Sequence, residues 1–219
     1  FESAWVWSNS QQRVVQKVVS VEGLDILTDA MASQQGLVIT GSHIGNWEVL
    51  AQWLSRNQTV YAAYKPPTHV YLDGLIRAGR AKTNLELITG ERSNVKRMFE
   101  VLNQGNTFFL LSDQRPAKGG GVFVPFFLKP AYTMTIIQRL VQKTQSNLIY
   151  LMAVRVAGGF KIVIENAPFD VTQSDPSTFA TGLNSGHQQQ INQYPEQYSW
   201  NYRRFRPQPE GFPSVYKSL

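Results

Sequence analysis

The chain predicts an α/β fold: one domain with a mostly parallel central sheet and helices on both faces. Three observations carry that prediction. From residue 36 onward, short apolar runs of strand length alternate with segments of helical period. The most apolar runs, at 36–40 and 107–112, show no polar alternation, as expected of strands buried on both faces. A length of 219 residues, 42 % hydrophobic with five Trp and twelve Phe, suits a single buried core. No repeat or low-complexity linker divides it, so residues 1–219 are read as one domain.

Each element follows from local pattern. Residues 14–27 lead in. Residues 36–40 (GLVIT) form a strand and 46–55 a helix, with Asn46 as its cap and Glu48 in its first turn, where negative charge is favoured. A strand at 59–64 precedes a helix at 69–81 that places Leu72, Leu75, Ile76 and Gly79 on one face. A short strand at 85–88 leads to a helix at 93–103, closed by Gly105. Residues 107–112 are a buried strand and 133–144 a helix. Residues 148–156 and 160–165 flank Gly158-Gly159 as a hairpin, giving the sheet an antiparallel edge. Asp175-Pro176 opens the last helix, with cap and first-turn residues in order.

Composition excludes several chemistries. With no Cys there is no disulfide, no thiolate nucleophile and no Cys-ligated zinc. Three scattered His show no metal-ligand spacing, H-E-x-x-H is absent, and no metal is expected. Neither G-x-x-x-x-G-K-S/T nor G-x-S-x-G occurs. The net charge of +6 suits an anionic partner: nucleic acid, an anionic membrane surface or a phosphorylated substrate. No run of five like charges and no nucleic-acid motif is present, so nucleic acid is not expected. No stretch reaches the roughly 18 apolar residues that span a bilayer, and no signal peptide is visible. The chain begins at Phe1 rather than Met, which reads as an upstream segment missing from it.

The run GSHIGNWE, at 41–48, concentrates the chemistry. It joins a strand to a helix, and Gly41 and Gly45 let the backbone bend around His43. His43 can serve as a general base, with Glu48 orienting the imidazole and stabilising its protonated form. That is the base half of a catalytic triad without its serine, so the nucleophile comes from the substrate. Backbone N–H groups at Gly45 and Asn46 are candidates for stabilising an oxyanion. Sites in open α/β sheets gather beyond the carboxyl ends of strands. Lys65, Asp113 and Gln114 also follow strands, so they are expected to converge with His43. Arg77 and Arg80 sit just off the apolar face of helix 69–81, and Asp113 is expected to pair with one of these cations. Phe123, Phe126 and Phe127 read as core or cleft wall.

The string H-I-G-N-W-E resembles the H-x-x-x-x-D/E dyad of the glycerolipid acyltransferase superfamily. It is most similar to one branch, the bacterial lipid A biosynthesis late acyltransferases. Further blocks follow in that family's order: Y-K-P-P at 64–67, D-x-x-I-R-x-G-R at 73–80, S-D-Q at 112–114, P-F-F at 125–127, P-A-Y-T at 130–133 and Y-P-E-Q-Y-S-W-x-Y-R-R-F at 194–205. The resemblance implies a glycerol-3-phosphate-acyltransferase-like α/β fold and fatty acyl transfer onto a hydroxyl of a phosphorylated lipid A precursor. It implies acyl carrier protein thioester as co-substrate with no further cofactor, and arginine in the 73–80 block holding substrate phosphate or the site's backbone. It also implies an N-terminal membrane anchor and work on the cytoplasmic face of a Gram-negative inner membrane. Trp200, Tyr202, Arg203 and Arg204 would suit the edge facing that membrane. Another glycolipid or glycerolipid acceptor, and an inactive anionic-lipid-binding protein, are the alternatives the residues leave open.

Overall fold

The structure, a computed structural model, describes residues 2–67 and 69–216. Its strands are β1 (Val18–Glu22), β2 (Leu37–Gly41), β3 (Val60–Tyr64), β4 (Leu85–Thr89), β5 (Thr107–Leu111), β6 (Gly121–Phe126), β7 (Lys129–Met134), β8 (Asn147–Val156) and β9 (Gly159–Asn166). Its helices are α1 (Glu2–Ser8), α2 (Gln11–Val15), α3 (Leu24–Ala32), α4 (Trp47–Leu54), α5 (Val70–Arg80), α6 (Arg92–Asn103), α7 (Ile136–Thr144) and α8 (Pro176–Gln193), with a 3-10 turn at Pro195–Gln197.

Seven strands form one sheet in the order β1-β9-β8-β2-β5-β3-β4. The run from β8 to β4 is parallel, β9 returns antiparallel on β8, and β1 runs parallel to β9. The two apolar runs lie side by side as β2 and β5, and all five residues of β2 are buried. Both faces are covered because alternate residues of these strands point to opposite sides. Leu37, Ile39, Phe109 and Leu151 pack under α3 and α4. Val38, Phe108, Leu148 and Tyr150 pack under α6, α7 and α8.

Residues 14–27, read only as a lead-in, hold β1 and the start of α3, and β1 rather than the 148–165 hairpin forms that edge of the sheet. From residue 36 the predicted elements stand, with three changes. Thr133 and Met134 belong to β7, and the following helix begins only at Ile136. The blocks at 121–134, read from sequence only as motif and cleft wall, form a separate two-stranded antiparallel hairpin. On α5 the expected apolar face divides: Ile76 is buried and Gly79 abuts Trp7, while Leu72 and Leu75 remain 39 % and 43 % exposed. Among the described residues no helix is long and apolar enough to cross a membrane.

Candidate active site

The parallel register of β2 and β5 builds the centre of the site. Gly41 pairs with Leu111, an offset of 70 residues, and Ser112 N–H still donates to Gly41 O at 3.3 Å beyond the last pair. Continued two residues, that offset sets His43 beside Asp113. The Asp113 carboxylate accepts from His43 twice: from the backbone N–H at 3.0 Å and from ring Nδ1 at 2.6 Å. Asp113 is 1 % exposed and the His43 side chain 18 %. Burial alone would raise the Asp113 carboxyl; the neighbouring His43 charge and hydrogen bonds outweigh it and hold the carboxyl below its usual range. An ionised Asp113 at Nδ1 fixes the tautomer that leaves Nε2 as the basic nitrogen. His43 lines a cleft of about 1610 Å³.

The expected partner of His43 was Glu48, and the structure places Glu48 elsewhere. From the first turn of α4 its carboxylate meets Arg80, at 2.6 Å to Nη2 and 3.2 Å to Nε, an arginine fork on a carboxylate. Asn46 caps α4 as predicted, its Oδ1 accepting from Glu48 N–H and Val49 N–H. The cap directs the first turn toward α5 and so toward Arg80. The expectation that Asp113 pairs with Arg77 or Arg80 fails for the same reason: each of these carboxylates holds the other's expected partner.

The proposed oxyanion donors do not serve. Gly45 N–H donates to Gln197 O at 3.1 Å and Asn46 N–H to Ala153 O at 2.9 Å, so both are already used. They border a smaller neighbouring hollow with Glu2 and Arg155 rather than the main cleft. Gly45 has φ +61°, and a Cβ there would sit 1.9 Å from Ala153 O, so this position requires glycine. The same hydrogen bonds, with Ser199 N–H donating to His43 O at 3.0 Å, clamp the histidine turn between β8 and the 194–205 block. That block therefore holds the site together. Within it, Arg204, expected at a membrane edge, is buried and donates to Tyr132 O and Thr133 Oγ1, while Trp200 is 57 % exposed.

Lys65, Gln114, Arg80 and Glu48 line the cleft with His43. Arg77 is not among the lining residues; it pairs with Asp73 on its own helix at 2.8 Å and lies over the Tyr64 ring. Of the three phenylalanines, Phe123 lines the cleft, Phe126 is core and Phe127 is half-buried against it.

Two features escaped the sequence reading. Trp47 sets its ring edge-on to His43, with centroids 4.8 Å apart, and walls the cleft beside it. Behind the site, His187 of α8 bonds Ser42 Oγ through Nδ1 at 3.0 Å and Ser112 Oγ through Nε2 at 2.8 Å. It thereby ties together the residues that directly precede His43 and Asp113. Burial drives its pKa down to about 4 against the opposing pull of Asp113, so the ring is neutral at pH 7. A lone histidine on a helix carries no sequence signal for this; the register of β2 and β5 reveals it.

A carboxylate-aligned imidazole thus opens on a cleft that two cationic side chains, Lys65 and Arg80, also line. The chain belongs to the bacterial lipid A biosynthesis acyltransferase family, whose model matches residues 1–207. It is 26 % identical over 216 residues to the lipid A biosynthesis lauroyltransferase of Escherichia coli K12, covering 97 % of this chain and 69 % of that protein. The lipid A biosynthesis palmitoleoyltransferase of the same organism is 28 % identical, over 97 % of this chain and 69 % of its own length. The lipid A biosynthesis acyltransferase of Haemophilus influenzae is 28 % identical, over 97 % and 68 % respectively. The protein is thus an acyltransferase of lipid A biosynthesis.

Proposed function

We propose that the protein transfers a fatty acyl chain from an acyl carrier protein thioester to a hydroxyl of a phosphorylated lipid A precursor, without an acyl-enzyme. The observation that carries the mechanism is the Asp113–His43 pair at 2.6 Å, opening on the cleft. His43 Nε2 removes the proton of the acceptor hydroxyl as its oxygen attacks the thioester carbonyl carbon. Asp113 stabilises the imidazolium that forms. The tetrahedral intermediate collapses, the carbon–sulfur bond breaks, and the proton passes from His43 to the departing thiolate. Arg80, locked in place by Glu48, offers positive charge where the acceptor's phosphate or the developing oxyanion lies. Lys65 and Gln114 stand at the rim as further polar contacts to the headgroup. The residues themselves supply every proton transfer, so no further cofactor is invoked.

A precursor carrying several acyl chains resides in a bilayer. We therefore place the working protein at an anionic membrane surface, the cytoplasmic face of the inner membrane in a Gram-negative cell. Incubation with acyl carrier protein thioesters and a lipid A precursor, read by mass spectrometry, tests the proposal. One added acyl mass is expected, and His43→Ala should lower the rate by about 100- to 10,000-fold. Wild-type rates in His43→Ala would rule out the mechanism.

A further inference from the structure

The cleft is not a single bowl. Below its mouth at His43, Trp47, Tyr64 and Arg80 it runs inward between α4, α5 and the face of β3, β4 and β5. Its walls there are Ala51, Ala62, Ile76, Leu85, Phe109 and Leu111. None of these side chains carries a polar atom. Strand geometry gives the depth. Ala62 lies two residues below Tyr64 on the same face of β3, about 7 Å further in. Leu85 pairs with Val60 another two residues down, and Val60 itself is fully buried, so the branch ends at that level.

Two alanines line the cleft between larger neighbours on their own elements. Leu50, Trp53 and Leu54 flank Ala51 on α4, while Val60 and Tyr64 flank Ala62 on β3. Interiors are normally filled to crystal density. Here Ala51, Ala62, Leu85 and Phe109 retain 5 to 8 % of their surface, and all four line the cleft. An apolar end lined only by hydrocarbon side chains accepts a hydrocarbon and rejects any group that would leave a hydrogen bond unmade.

Resting on the proposed acyl transfer, we propose that Ala51 and Ala62 determine the length of the fatty chain the enzyme uses, with Leu85 as the floor. Each added or missing methylene at a filled apolar end changes discrimination by roughly tenfold or more.

The test uses the purified protein and acyl carrier protein thioesters of decanoate, dodecanoate, tetradecanoate and hexadecanoate. Ala62→Leu and Ala51→Leu should lower kcat/KM for the longest chain accepted by at least about tenfold relative to a chain two methylenes shorter. Leu85→Ala, which deepens the branch, should move the optimum to longer chains. In parallel, free fatty acids of the same lengths are titrated against tryptophan fluorescence, since Trp7 and Trp47 line the cleft. The length cut-off for binding should move in the same directions. If wild type transfers no acyl group but the binding cut-off moves, the transfer reading fails and the slot stands. An unchanged length profile in all three folded variants, by transfer and by binding, overturns the slot.

Discussion

At the residue scale, His43 was legible because its chemistry sits inside one short string. Its partner was not. Reading along the chain favours the carboxylate five positions away, whereas the one that reaches Nδ1 is 70 positions away and arrives through strand register. Glu48 and Arg80, 32 positions apart, were both singled out, yet their pairing was invisible for the same reason. The exchange has kinetic consequences. Asp113→Asn should lower kcat/KM by about 100- to 10,000-fold, because the imidazolium formed during transfer loses its counter-charge. Glu48→Gln should leave kcat nearly unchanged, raise the acceptor KM and cost roughly 1–3 kcal/mol of stability by weakening the pair with a part-buried arginine. A loss of kcat in Glu48→Gln as large as that expected of Asp113→Asn would restore the sequence-based dyad. His187 makes a second prediction. Its folded pKa of about 4 lies below its ordinary 6.5, so between those values the unfolded chain binds the extra proton. The contribution is whole above about 6.5 and disappears as pH falls to about 4, on the order of 3 kcal/mol. Asp113, His43 and Arg204 also act on this ring, so the comparison is between slopes. Urea unfolding of His187→Gln should show a shallower loss across that window than wild type; equal slopes would remove His187 from the acid sensitivity.

Elements were legible where one period dominates, as in β2, β5, α4 and α8. The β6–β7 hairpin was not, because each of its local signals is atypical. Its two-residue loop is Phe127-Leu128, with φ of +45° and +63°, where such loops usually carry Asn-Gly. Pro125 stands opposite Pro130, one pair in from the closing pair of Phe126 and Lys129. There the ladder requires no N–H from either proline. Tertiary contacts override the poor loop: Asn184 Nδ2 donates to Pro125 O at 2.8 Å, Gln188 accepts from Phe127 N–H, and Phe126 fills the core beneath. Leu128 is fully exposed and takes part in none of this. A branched residue held left-handed costs about 1–2 kcal/mol, whereas asparagine adopts that region readily. Leu128→Asn should therefore raise stability by about 1 kcal/mol in thermal or denaturant unfolding. A fall in stability would show that the loop is not strained.

At the scale of the whole molecule, alternation of apolar runs and helical segments was enough to read a parallel sheet covered on both faces. The site's position at the ends of β2, β3 and β5 followed from it. Strand order did not, because nothing local states that β5 lies between β2 and β3. Surface residues were least legible: Arg204, read as an edge residue, donates into a buried polar cluster, and half of the α5 stripe is open. That open half has a use. Leu72 and Leu75 lie on the helix whose Ile76 and Arg80 line the cleft, and Tyr71 beside them is 96 % exposed. Phe123 also lines the cleft and remains partly exposed. An exposed apolar stripe on a helix that also lines the cleft, on a chain of net charge +6, suits insertion into the surface of an anionic bilayer. The protein should therefore sediment with vesicles rich in anionic lipid at low salt and release as salt rises, since exposed charge is screened. Leu72→Asp combined with Leu75→Asp should weaken that binding even at low salt. The two carboxylates would meet both an apolar interface and negative headgroups. His43 and Asp113 stay untouched, so a water-soluble acyl thioester should still be hydrolysed at the wild-type rate. Undiminished vesicle binding by the double variant would mean that the α5 stripe does not face the membrane.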